Sequence, residues 1–121
     1  MDATPLELAA LEWISAHASD AGLRTQLAGV VVRGREFTGA GSYTELQVAS
    51  SAPPLDALYP LVGLTGPIGG PDVKSPELPA GASTLLWLTD RRASTLEIAG
   101  QGIRDEHPTD FALVPPGPGD A

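Results

Sequence analysis

Residues 30–48 read Val-Val-Val-Arg-Gly-Arg-Glu-Phe-Thr-Gly-Ala-Gly-Ser-Tyr-Thr-Glu-Leu-Gln-Val. Two runs rich in β-branched and aromatic residues flank a glycine-rich turn, which is the pattern of a β-hairpin. Setting Val32 opposite Val48 places Gly34 opposite Leu46, Arg35 opposite Glu45 and Phe37 opposite Tyr43. That register matches opposite charges and aromatic rings, each such pair contributing roughly 0.2–1 kcal/mol. A one-residue slip sets Glu36 against Glu45, a repulsive pair. Side chains alternate along a strand. Val32, Gly34, Glu36, Thr44, Leu46 and Val48 therefore share the core face, and Arg33, Arg35, Phe37, Tyr43, Glu45 and Gln47 share the other. The register turns a carboxylate, Glu36, toward aliphatic side chains.

Upstream, Thr4-Pro5-Leu6-Glu7 is a helix start: a capping hydroxyl, proline at the first helical position and glutamate closing a capping box. Leu6, Ala10, Trp13, Ile14 and His17 recur at helical spacing and form one stripe. A second short helix over 21–28 turns Leu23 and Leu27 inward and ends at Gly29. Downstream, residues 50–56 read as a loop, and a short irregular strand is expected around Leu61–Thr65. The run 70–81, Gly-Pro-Asp-Val-Lys-Ser-Pro-Glu-Leu-Pro-Ala-Gly, reads as a long loop closed by prolines. Thr84–Thr89 is apolar on both faces, as in a central or doubly covered strand. Asp90–Ala93 form a turn, after which Leu96 and Ile98 face one way with Ser94, and Thr95 and Glu97 the other. A last strand is expected over Phe111–Val114. The elements sum to an α+β fold: an antiparallel sheet of four to six short strands with an N-terminal helical layer packed on one face. A curled up-and-down sheet is the alternative. Residues 1–114 form one domain in this reading, and 115–121 a disordered Pro/Gly-rich tail.

The 121 residues carry fifteen acids against seven bases, a net charge of −8. Nucleic-acid binding needs a basic footprint, and an anionic membrane surface repels this chain; neither is expected as a partner. A basic protein partner is favoured by the field. The chain has no cysteine, which excludes disulfides and thiolate metal sites and suits a reducing cytosol. The N-terminal run carries acids where a signal peptide carries bases, and no stretch approaches the ~20 apolar residues of a membrane span. A cytoplasmic location is expected.

No catalytic motif is present. Neither a Gly-x-Ser-x-Gly elbow nor a phosphate loop or dinucleotide fingerprint occurs, and the glycines at 34, 39 and 41 suit turn geometry. The two histidines, His17 and His107, have no metal-ligand spacing. His17 falls on the apolar stripe near a helix C-terminus. His107 follows Asp105-Glu106 in a loop and is expected in solvent. Trp87 is expected in the core, and Tyr43 shares its face with Arg35 and Glu45.

The segment Arg35-Glu36-Phe37-Thr38-Gly39-Ala40-Gly41-Ser42-Tyr43-Thr44, with the later Leu96-Glu97 hairpin, resembles a group of small bacterial proteins sharing an Arg-Glu-Phe-Thr-Gly-x-Gly-(aromatic)-Thr motif. The resemblance spans about Val30 to Gly100. It implies an uncharacterised family and no catalytic residue. This chain has Ser42-Tyr43 where members often have two aromatics.

Two functional expectations follow, with no cofactor in either. The first is a non-enzymatic protein-binding module, immunity-like in its small acidic profile, whose contact residues are Arg33, Arg35, Tyr43 and Glu45. The second is a small-ligand or hydrolase-like site in a cleft between helices and sheet, built on Glu36 with Thr44 and Arg35. A homodimer joined through a sheet edge is a third, plainer reading.

Overall fold

A computed structural model of the protein describes residues 1–18, 20–55 and 68–116. The expected strand at Leu61–Thr65 and all of the tail but Pro115 and Pro116 lie outside these residues. Helix α1 (Pro5–His17) starts as its sequence predicts: the Thr4 hydroxyl accepts the Glu7 amide, and the Glu7 carboxylate accepts the Thr4 amide. Helix α2 (Ala21–Ala28) is capped by Asp20, whose Oδ1 accepts the amides of Gly22 and Leu23. These caps satisfy amide groups that a helix N-terminus leaves without partners.

Six strands follow among the described residues: β1 (Val31–Phe37), β2 (Gly41–Gln47), β3 (Ile68–Ser75), β4 (Leu78–Thr89), β5 (Arg92–Ala99) and β6 (Ala112–Val114). They form one antiparallel sheet in the order β1-β2-β5-β4-β3-β6. The fold is α+β, with α1 packed on β3 and α2 on β5. The core lies between layers, where Leu6, Ala10, Ile14, Leu23, Leu86, Leu96 and Ile98 are all buried.

Three expectations change. First, 70–81 is no long loop. Most of it belongs to a hairpin, with β3 and β4 joined by a two-residue turn at Pro76-Glu77. Its prolines sit where strands tolerate them: the β3–β4 register shifts between Gly69 and Asp72, around Pro71. A Cβ on Gly70 would lie 2.2 Å from Thr84 Oγ1 and 3.0 Å from Ile14 Cδ1, so glycine lets α1 approach the sheet there.

Second, Trp87 is on the outer face, half-buried, its indole N–H donating to Glu97 at 2.8 Å. Leu86 and Leu88 on either side fill the core instead. A register shift between Trp87 and Leu88 turns Ala93 inward. Ser94, expected to point inward with Leu96 and Ile98, is half-buried, and its hydroxyl donates to the Trp87 carbonyl.

Third, the β1–β2 register is not Val32–Val48. Val32 pairs with Leu46, the ladder then shifts between Val32 and Gly34, and Arg35 pairs with Thr44, Glu36 with Tyr43 and Phe37 with Ser42. A β-bulge at Arg33 supplies the extra residue. Beyond it the alternation is inverted, which is how bulges re-aim side chains. Arg35 and Phe37 turn toward the helices, and Glu36 turns to solvent.

The 50–55 loop is tied down rather than free. Gln26, fully buried, donates to the carbonyls of Pro53 and Arg91 and accepts the Ala93 amide. Leu55 is buried beside it, and its amide donates to the Arg91 carbonyl. The β4–β5 turn places Asp90 and Arg91 at φ 52° and 63°. Two successive left-handed residues match the twist of the flanking strands.

Candidate functional site

The inward turn of Arg35 creates a buried polar cluster between helix and sheet. Glu7, on the first turn of α1, is fully buried. Arg35 grips it bidentately: Nε donates to Oε2 at 2.6 Å and Nη2 to Oε1 at 2.6 Å. The Thr44 hydroxyl donates to Oε2, and the Thr4 amide to Oε1. The carboxylate thus accepts four hydrogen bonds. Burial pushes the Glu7 carboxyl upward, but the Arg35 guanidinium, the Thr44 hydroxyl and the Thr4 amide together overcome it, and its pKa lies below the ordinary 4.5. The same bonds raise the Arg35 pKa against the burial that would lower it.

His107 extends the cluster. Its Nδ1 lies 2.7 Å from the Thr4 hydroxyl and its Nε2 2.7 Å from the Ser42 hydroxyl. The ring packs against Phe37, with centroids 5.3 Å apart, and Nδ1 is 3.9 Å from Glu7 Oε2. Only 5% of the residue is exposed, so the expected solvated position is wrong. Burial is the main force lowering the His107 pKa below 6.5. Glu7 acts upward on it and Arg35 downward. The balance of these effects favours the neutral ring over the protonated one.

Ser42, His107 and Glu7 invite comparison with a hydrolytic triad, but the arrangement does not serve one. Ser42 is 1% exposed and faces the helices. The Thr4 hydroxyl takes the imidazole Nδ1, which makes no hydrogen bond to the carboxylate 3.9 Å away, whose oxygens are taken by Arg35, Thr44 and the Thr4 amide. A nucleophile needs an open approach for substrate. The cluster joins layers. Among the described residues no group of three or more His, Cys, Asp or Glu is placed to hold a metal ion.

The structure splits the residues singled out in the sequence. Arg35 and Thr44 point inward to Glu7. Arg33, Glu36, Tyr43 and Glu45 are exposed. Among the described residues the three side chains do not gather in one cleft between helices and sheet, because the bulge puts the Glu36 side chain on the opposite face from those of Thr44 and Arg35. On that outer face Tyr43 is 44% exposed. It lies between Glu36 on β1 and Glu97 on β5, its register partners, with Glu45 two residues along its own strand. A depression of about 210 Å³ is lined by Gly34, Arg35, Glu36, Tyr43, Glu45 and Thr95. The Arg33 guanidinium donates to Gln47. His17, expected on the apolar stripe, is exposed and stacks on Trp13 at 3.8 Å, its Nδ1 2.8 Å from the Trp13 carbonyl oxygen.

Glu7 and His107 escaped the sequence reading as site residues. Glu7 carried a signal as the closing residue of a capping box. His107 carried none, since its partners lie 103 and 65 residues away.

Comparison with protein-family models, with curated proteins and with solved structures finds no match. No helix among the described residues is long and apolar enough to cross a membrane.

Proposed function

We propose that the chain is a non-enzymatic binding module whose outer sheet face takes a basic protein partner. The observation that carries this reading is the exposed Tyr43, flanked in the ladder by its register partners Glu36 and Glu97, the latter holding the Trp87 indole. An aromatic ring beside carboxylates suits a lysine or arginine side chain, by cation–π attraction and charge pairing together. Two further facts support it. Arg35 is turned inward, so it does not neutralise this face, and the net charge of −8 draws cationic partners. The small acidic profile suits an immunity-like role by analogy, and the cysteine-free composition suits the cytoplasm. In this reading the shared motif of the small bacterial group is chiefly structural: Arg35 and Thr44 hold Glu7, Phe37 packs on His107, and Gly41 lies tight against β5.

The test is titration of isotope-labelled protein with short arginine- and lysine-containing peptides. Amide shifts are expected at Glu36, Tyr43, Glu45, Thr95 and Glu97, and should fade as salt rises. Shifts confined to other surfaces, or none, would overturn the assignment.

A further inference from the structure

The segment 100–111 leaves β5, crosses the end of the sheet and returns as β6. Three of its side chains are buried, Ile103, His107 and Pro108, and Phe111 packs against the core at its end. Ile103 is fully buried in the core. His107 is the polar anchor, bonded on one side to Thr4, the cap of α1, and on the other to Ser42 of β2. Beyond it, Glu77 in the β3–β4 turn accepts the amides of Thr109 and Asp110, while Gln101, Arg104, Asp105 and Glu106 are exposed.

We propose that His107 is an acid-released clasp, whose protonation frees segment 100–111 from the α1 cap and from β2. A neutral imidazole has one donor and one acceptor nitrogen, so it accepts a hydrogen bond from one of its two hydroxyl partners and donates one to the other. An imidazolium only donates. Whichever tautomer is present, protonation removes the acceptor of one buried hydroxyl. If that hydroxyl is Thr4, it already accepts the Glu7 amide and is the cap on which the helix starts.

Charge adds to this. The cluster now holds one anion, Glu7, and one cation, Arg35, paired bidentately. A proton on His107 makes it net positive in a buried place. Glu7 faces the new cation at 3.9 Å, but its oxygens are committed to Arg35, Thr44 and Thr4. The groups facing His107 are Thr4 and Glu7 from α1, Arg35 and Phe37 from β1, and Ser42 from β2; Glu77 from the β3–β4 turn holds the same segment further along. None of them is a second carboxylate free to accept the imidazolium. Opening the segment returns the ring to water, where its ordinary value of 6.5 applies. What opens with it is apolar: Ile103, Pro108, Phe111 and the face of Phe37.

The test is amide hydrogen exchange on the full chain from pH 7.5 to 5, read as protection factors. Coupling to one proton makes the opening equilibrium of residues 101–110 rise roughly tenfold per pH unit below about 6.5; central amides of β4 and β5, which open only with the whole fold, carry the same slope but stay more protected than 101–110 at every pH. His107→Gln keeps a donor and an acceptor but cannot titrate, and its segment should show no such slope. His17→Gln, altering the other histidine, should leave the slope intact. Should His107→Gln fail to fold, a ring-nitrogen shift titration of the unaltered protein decides the matter: the His107 midpoint must lie below that of an unfolded reference. Constant protection of 101–110 across the range overturns the clasp. So does equal protection of 101–110 and of the central β4 and β5 amides at every pH, which would mean that the segment opens only with the whole sheet, or a slope that His17→Gln removes.

Discussion

Arg35 stands on an edge strand and holds both carboxylate oxygens of Glu7 across the layer boundary, at 2.6 Å each. A bulge one turn of the pleat earlier aims it there. The pair makes the bulge more than a local irregularity. It fixes which residues of β1 meet the helices and which meet the solvent.

Removing either partner leaves a buried charge uncompensated, and such losses typically run to about 3–5 kcal/mol. Arg35 keeps 14% of its side chain in water, so the lower end of that range applies to Glu7→Ala. The paired replacement Glu7→Leu with Arg35→Met should be far milder than the sum of its parts. Urea unfolding in a double-mutant cycle measures this. Additive effects, each under about 1 kcal/mol, would mean the pair behaves like an exposed ion pair.

Stability should fall in two stages on acidification. The folded His107 pKa is depressed below 6.5, so the unfolded chain takes up a proton first, and stability is complete above about pH 6.5 and declines beneath it. The folded Glu7 pKa is depressed below 4.5. Its contribution is present above that value and is lost as pH falls through the folded one. Both signs agree: stability rises with pH through each window. Thermal midpoints between pH 3 and 8 should show both declines. A midpoint that does not move between pH 7 and 5 would contradict a neutral, buried His107.

Glycine tolerance should differ sharply within one turn. Gly41 has φ +145°, and a Cβ there would lie 2.2 Å from the Ile98 carbonyl oxygen and 2.9 Å from the Ala99 Cα, both backbone atoms. Neither can step aside without breaking the β2–β5 ladder. Gly41→Ala should therefore lower stability by several kcal/mol, on the order of 3. Gly39 has φ +86° with nothing within 4 Å, so Gly39→Ala meets only the conformational cost, about 1 kcal/mol. Equal losses at the two sites, measured by denaturation, would refute the close packing at Gly41.

The sequence carried the parts of this fold that are local. The capping box at Thr4–Glu7, both helices and the β4–β5 hairpin with its Asp90-Arg91 turn each rest on residues within a few positions of one another. The bulge at Arg33 was not legible, because alternation counts residues and cannot register one inserted without a partner. Its omission reversed the faces of Arg35, Glu36 and Phe37. The β3 strand was hidden for a related reason: Gly69, Gly70, Pro71 and Pro76 look like loop residues until a bulge and a turn accommodate them. His107 was the hardest to place. Its burial is decided by Thr4 and Ser42, which only the folded chain brings together.

The outer face yields the prediction closest to function. Tyr43 is half in water and takes no part in the Glu7 cluster, so Tyr43→Ala should leave the melting temperature nearly unchanged. It should still weaken binding of an arginine- or lysine-containing peptide. A cation–π contact is worth about 0.5–2 kcal/mol depending on desolvation, which corresponds to roughly 2- to 30-fold in affinity. Glu36→Gln and Glu45→Gln should weaken the same binding and flatten its salt dependence, since each removes one charge from the encounter. These readouts separate two failures. Loss of binding with a large fall in melting temperature would make Tyr43 a packing residue. Unchanged binding in all three variants, with a stable fold, would move the partner to another surface.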